Sequence, residues 1–543
     1  MRVRGAASIA LIFGTFALGG LTVAACVRVG LSEDRSRADA AETESHADAE
    51  ANADAEANAD AEANADAEAN ADAETNADAE TNADAEANAD AETNADAEAN
   101  ADATTNGDAE TSEGGVDAGG LGDGGTSDGG DQADAELLDI GSSTDAGTNW
   151  TVDIPDLCVP IDWSTVDSPL IHVSPSQANV LDTIFDSAPE HATILLEDGE
   201  YVLSTPLTIT TRGLIVRSVS GNRDAVVLRG GAANTAVLTI LTDQVVIASL
   251  TINEAVDDAI QVGLGAVDTA AQAAVFYDVS IIDSRNADIR VRPYADGGLI
   301  ACSSFVRTDA LRQQAGASCA SSYGLNLLGA RDWRVELNIL RAHHCGDFQT
   351  GPAIGLQGGT RDVRVLRNII IDPYQGIRFG FDSAPNPSRR VYADAACGGS
   401  NIDNVGGVIA NNFVFSSHAD FDSGIALWSS CDTVVAHNTI YSNDQTRQFS
   451  SIEWRDPLTD VIVANNLANF RLLERDAAQA ILRDNIDSLE ASWVVDPIHG
   501  DLHLTASAID AIGGAASIGI TECSVDIDGD PRGDPVDVGA DER

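Results

Sequence analysis

The chain contains no lysine: all 30 of its basic residues are arginine. That excludes a lysine Schiff base, a P-loop lysine and a lysine general base. No stretch carries a nucleotide-binding, zinc-binding or Ser-His-Asp signature. The adjacent His343 and His344 lack partners at metal-ligand spacing, so they are expected in an exposed turn. Positive charge is scarce as well. Against those 30 arginines stand 87 Asp and Glu, a net charge of −57, which argues against nucleic acid as a partner. Large apolar side chains are nearly missing between residues 31 and 149, which excludes a packed core there.

The first residues read differently. Arg2 and Arg4 precede an apolar run from Ala6 to Ala25 that ends Val23-Ala24-Ala25-Cys26. A basic end, a short apolar run and small residues are the layout of an export signal, and the run is too short for a comfortable membrane span. The VAAC ending resembles a lipobox, which implies cleavage after residue 25 and a lipid on Cys26. Val27 is not the Asp that retains many lipoproteins at the inner membrane, so the expected address is the outer membrane. Residues 26–149 would then be a tether. Near copies of ADAEAN run from Ala47 to about Ala103, and residues 31–150 hold 35 Asp and Glu against two Arg. Like charges push such a segment open, and some 120 residues span about 60 Å. A solvated spacer is expected, with a Ca²⁺-collecting acidic brush as the alternative.

From Trp150 the composition becomes that of a folded domain, expected over residues 150–543. Its organising phrase occurs five times: WRVELNIL (333–340), VRVLRNII (363–370), GVIANNFVF (407–415), TVVAHNTIY (433–441) and VIVANNLANF (461–470). Apolar alternation predicts a strand with one buried face, and each strand runs into an Asn: Asn338, Asn368, Asn412, Asn438 and Asn466. Steps of 30, 44, 26 and 28 residues between them are those of a solenoid coil. Asn tolerates left-handed geometry and its amide can bond along a stack of bends. In the earlier coils the same position falls to Leu250, Val279 and Phe305. A second phrase, led by Ile or Leu, recurs about half a coil away: AIQVG (259–263), DIRVR (288–292), GLNLL (324–328), AIGLQ (353–357), GIRFG (376–380), GIALW (424–428) and SIEWR (451–455). Pro175–Ala188 carries Val180, Leu181, Ile184, Phe185 and Ala188 at helical spacing and is the candidate cap on the open core.

Together, "GIxL" and "xVxxNxI" resemble the right-handed parallel β-helix of the pectate-lyase-like superfamily, over residues 170–543. The fold class this implies is all-β, a solenoid with an N-terminal capping helix. Its expected state is a monomer. That superfamily includes lyases, hydrolases and plain binding proteins.

Coil phasing also sorts the cysteines. Cys302 lies three residues before Phe305, an inward position, and is expected as a buried free thiol. Cys319 with Cys345, and Cys397 with Cys431, fall in successive versions of one turn and are expected to pair. Cys158 and Cys523 stay unassigned.

In the Ile-led strands the leading residue and the one two later point inward; those between and after point out. The outward set is Gln261, Arg290, Arg292, Asn326, Gln357, Arg378, Trp428, Glu453 and Arg455. In the family this sheet holds polysaccharide. Arg forks suit carboxylates or sulfates, amides suit hydroxyls, and a Trp face suits a sugar ring. The alternative is a solvated wall whose arginines pair with loop Asp. Arg378 is expected mid-sheet, between Gln357 on one coil and Ala426 with Trp428 on the next. If the protein is an enzyme, the resemblance makes Arg378 the base of a lyase, with Ca²⁺ at Asp347, Asp382 or Asp422. Glu453 would serve a hydrolase. Neither set is complete, so polysaccharide binding is the leading expectation, with lyase, hydrolase or non-catalytic adhesion beside it. Asp526, Asp528 and Asp530 have the spacing of part of a Ca²⁺ loop, or of a tight closing turn.

Overall fold

A computed structural model describes residues 157–543 apart from 231–234, 310, 312–321, 346–349, 382, 385, 396 and 398–400. Cys26, the acidic segment, Cys319, Asp347 and Asp382 lie outside the described residues. The folded part is a parallel β-helix. Its Ile-led strands stack in sequence order as a ten-stranded sheet, from Leu207–Ile209 to Leu472–Glu474. Up to the strand Ser450–Arg455 every inward pair, such as Ile354 and Leu356 or Ile377 and Phe379, is buried in one continuous core; in the last strand Leu472 is only partly covered.

The Asn phrase proves to be two short strands with a bend between them, as in Arg334–Glu336 and Ile339–Arg341. A coil therefore carries three strands rather than the two phrases visible in the sequence. The left-handed residue of each bend is the one before the Asn: Leu337, Arg367, Asn411, His437 and Asn465 have φ between 53° and 59°. Asn itself supplies the stacking. The Nδ2 of Asn338 donates to Asn368 Oδ1 (2.9 Å), and the chain continues through Asn412 (3.0 Å), Asn438 (2.9 Å), Asn466 (2.9 Å) and finally Asn485 (2.9 Å). The strain of each bend, about 1–2 kcal/mol, is offset by this ladder.

One coil is out of phase with the sequence reading. Ile300 pairs with Val335 and Phe305 with Leu340, so Ser303, not Phe305, stands at the Asn position. Ser303 N–H donates to Asn338 Oδ1, and its Oγ accepts from Val279 N–H. Cys302 is consequently the left-handed bend residue (φ 55°), turned away from the core, and it is not a free thiol: it is bonded to Cys158. The two-residue slip arose because Ser replaces Asn where a Phe lies nearby. Cys397 and Cys431 do pair, Cys345 is disulfide-bonded, and the buried free thiol is Cys523.

The capping helix is a 3-10 turn, Pro175–Val180, that passes into α-helix Leu181–Ser187. Leu181, Phe185 and Ala188 enter the core, whereas Val180 faces solvent because the 3-10 turn rotates it off the apolar stripe. Asp182 accepts from Thr208 N–H at 2.8 Å, fixing the helix against the first strand of the ten-stranded sheet. At the other end the chain turns back. Trp493, Leu502, Leu504, Ile527 and Val538 pack on outward residues Ile369, Ile371, Phe413 and Phe415, forming a second core.

Candidate functional site

The outward residues of the ten-stranded sheet form one register row: Gln261, Arg290, Asn326, Gly355, Arg378, Ala426, Glu453. The neighbour of Arg378 on the preceding coil is Gly355, and Gln357 lies two residues further along that strand. Small residues on both sides leave the Arg378 side chain room to lie down along the sheet. The Tyr323 ring covers Gly355, where an added Cβ would come within 3.0 Å of it.

Outward does not mean exposed here. Arg290 is buried and forks onto Asp258 at 2.7 and 3.0 Å. Burial pushes the Asp258 carboxyl up even against that guanidinium. Arg292 donates twice to Gln261 Oε1, and Gln357 donates to Asn326. These polar residues are matched to one another, and only the second half of the row forms a cluster.

Arg378 is the centre of that cluster and is only 5% exposed. Its Nη1 donates to Gln375 Oε1 (3.2 Å) and its Nη2 to the Tyr323 hydroxyl (3.2 Å), while Nε has no hydrogen-bond partner. Phe381 and Trp428 lie against the guanidinium, with ring centres 4.8 and 4.9 Å away. Among the described residues no carboxylate forms an ion pair with it. Burial pushes its pKa down, with Asp403 and Asp422 opposing from a distance. An uncompensated buried cation is costly, which sets Arg378 apart from Arg290.

Trp428 is not a free stacking face. Arg378 from the preceding coil and Arg455 from the following one both lie against its ring, the latter at 4.8 Å, and its Nε1 donates to Glu453 at 2.7 Å. Arg455 also pairs with Asp476 at 3.3 Å. Burial pushes the Glu453 carboxyl up, held back by the Trp428 hydrogen bond and by Arg475, 3.3 Å away. The exposed aromatic is Phe381, at 45%. Tyr323, Gln375, Phe381 and Arg475 were missed in the sequence. Phe381 directly follows GIRFG and could have been read; the others reach the site from turns or from a different row.

Of the three carboxylates expected beside this sheet, only Asp422 lies among the described residues. Asp422 accepts from Gln375 Nε2 (2.9 Å) and Ser423 Oγ (3.1 Å). Among the described residues no trio of carboxylates converges there. Nor do Asp526, Asp528 and Asp530 face a common point. Asp526 accepts backbone N–H bonds from Asp528, Asp530 and Glu542, and burial pushes it up to about 6. Asp528 pairs with His503 at 3.0 Å, and Asp530 is exposed. The run organises the returning C-terminal segment. His343 and His344 are buried, not exposed: His343 Nε2 meets the buried Asp288 at 2.7 Å, a polar partner that lets the ring leave solvent.

No protein-family model matches the chain, and no curated protein matches its sequence. In fold the chain is similar to several solved β-helix structures. A pectate lyase matches at 12% identity and a TM-score of 0.40, over 70% of this chain and 98% of its own. A mannuronic-acid-specific family 6 polysaccharide lyase from human gut microbiota matches at 13% and 0.39, over 58% and 80%. A surface adhesin of Streptococcus pneumoniae matches at 11% and 0.37, over 58% and 89%.

Proposed function

We propose that the protein binds an acidic polysaccharide along the ten-stranded sheet, with Arg378 meeting a sugar carboxylate or sulfate. The observation that carries this reading is the buried Arg378 guanidinium, which has an idle Nε and no anionic partner among the described residues. An anion arriving there would replace the missing counter-charge, and Phe381 would offer its exposed face to the ring. Arg378→Ala in the full-length protein should weaken binding of polygalacturonate or alginate by roughly thirtyfold or more. Binding of a neutral glucan should change little. Isothermal titration of both proteins against both glycans measures it, and equal affinities for the acidic glycan would remove Arg378 from the site.

A second reading is cleavage of the same glycan, supported by Arg378 and Glu453 flanking Ala426 in one row, each displaced from its ordinary pKa by burial. Unsaturated uronate or new reducing ends in the same incubations would establish it. We further propose that the chain is exported and held at the outer membrane by a lipid on Cys26. Cys26→Ser should then shift the protein from the membrane fraction to the soluble fraction. Unchanged partitioning would remove the anchor.

A further inference from the structure

Two turns of the β-helix, separated by one intervening coil, converge on a cluster that the glycan reading does not use. His344 follows the strand Ile339–Arg341, and His418 and Asp420 follow Phe413–Ser416; the strand Ile369–Ile371 lies between the two. The imidazoles of His344 and His418 approach to 3.9 Å between centroids at a 44° tilt. His418 Nδ1 lies 3.5 Å from the Asp420 carboxylate, yet it is buried without a hydrogen-bond partner. One donor atom from each of the three residues falls within 4.8 Å of the others.

The loop that carries two of these groups is held at both ends. Asp372 accepts from Ser417 N–H (2.7 Å) and Oγ (3.0 Å), and Asp422 N–H donates to Tyr374 O at 2.8 Å. The donors are therefore presented by fixed backbone. His418 and Asp420 border an open cleft of about 440 Å³ that is also lined by Asp444 and Arg447. Arg447 Nη1 lies 2.7 Å from Asp420, and its side chain is 59% exposed, so it can swing away into solvent.

We propose that His344, His418 and Asp420 form a binding site for a divalent first-row transition metal, zinc being the natural occupant. Two imidazole nitrogens and one carboxylate oxygen are the donor set such ions take, with the fourth position left to water on the cleft side. Calcium is disfavoured because it prefers oxygen ligands alone. Without metal, Arg447 neutralises Asp420; metal binding displaces it and staples the turns across the intervening coil. The other mixed His and Asp group does not compete, since both ring nitrogens of His503 are held, by Asp501 at 2.6 Å and by Asp528 at 3.0 Å.

The test is Zn(II) titration of the chelator-treated full-length protein, with Co(II) as a spectroscopic substitute. The wild type should take up one tight equivalent and show visible Co(II) ligand-field bands. His418→Ala should lose both, keeping only the weak binding of the acidic segment, which the two proteins share. Asp420→Asn should weaken the tight site by roughly a hundredfold. Arg447→Ala should bind at least as tightly as the wild type, an outcome that separates a metal site from a purely structural His–His–Asp contact. Retention of the tight equivalent by a folded His418→Ala protein would overturn the proposal, as would its absence from the wild type.

Discussion

Replacing Asn438 by Ala should lower the stability of the β-helix by about 4 kcal/mol, one of the largest single effects expected in the chain. The side chain is fully buried in the middle of the ladder. Its Nδ2 serves Asn466 Oδ1, Ile409 O and Ala436 O, and its Oδ1 receives both the N–H and the Nδ2 of Asn412. Alanine leaves these groups unbonded and away from water, each at roughly 1–3 kcal/mol before relaxation. The left-handed bend does not contribute, because that strain sits on His437 (φ 53°). Urea unfolding checks the value. Asn485→Ala, at the partly buried end of the same ladder, should cost less than half as much. Equal effects at the two positions would mean that the ladder does not act as a stack.

The Asn column was readable because one residue type recurred at one phase of an apolar alternation, and the inward pairs of the Ile-led strands followed from the same pattern. The ten-stranded sheet inherits its register from them. Reading failed where a different residue took the same geometric role. Ser303 supplies a ladder acceptor as well as Asn does, so the coil around it was misphased and Cys302 was placed inside. The Cys158–Cys302 bond joins positions 144 residues apart, and no coil repeat relates them.

The site was legible by direction but not by environment. Alternation states which side chains leave the core; it does not state what covers them afterwards. Arg290 and Arg378 occupy the same row, two coils removed from adjacency, and look alike in sequence. One is neutralised by Asp258, the other is enclosed by Tyr323, Phe381 and Trp428 without a counter-ion among the described residues. That difference is set partly by residues outside the strands, Asp258 and Phe381, and partly by Tyr323 and Trp428 at strand ends. Turns vary in length from coil to coil, so periodicity says little about them.

Gly380→Ala should be comparably damaging, at about 4 kcal/mol, and should also disable the Arg378 cluster. Gly380 has φ +84°, and an added Cβ would fall 1.7 Å from the Trp428 carbonyl oxygen and 2.9 Å from its carbonyl carbon. The obstacle is backbone, so it cannot rotate away. Left-handed strain contributes about 1–3 kcal/mol and overpacking a similar amount. Gly221 separates the two: its φ is +74°, but nothing lies within 4 Å of its added Cβ. Gly221→Ala should therefore cost only the strain, about 1–2 kcal/mol. The excess at Gly380 must be relieved by parting the strands Gln375–Phe379 and Ser423–Trp428. That movement withdraws Trp428 from between Arg378 and Arg455, so acidic-glycan binding should fall in the fraction that still folds. Thermal melts of both variants decide the stability question, and titration of folded Gly380→Ala decides the binding question. Matching melting temperatures for the two glycine variants would mean that Trp428 does not close over Gly380 as described. The register that sets Arg378 beside Ala426 would then be wrong, and the cluster built on it with it.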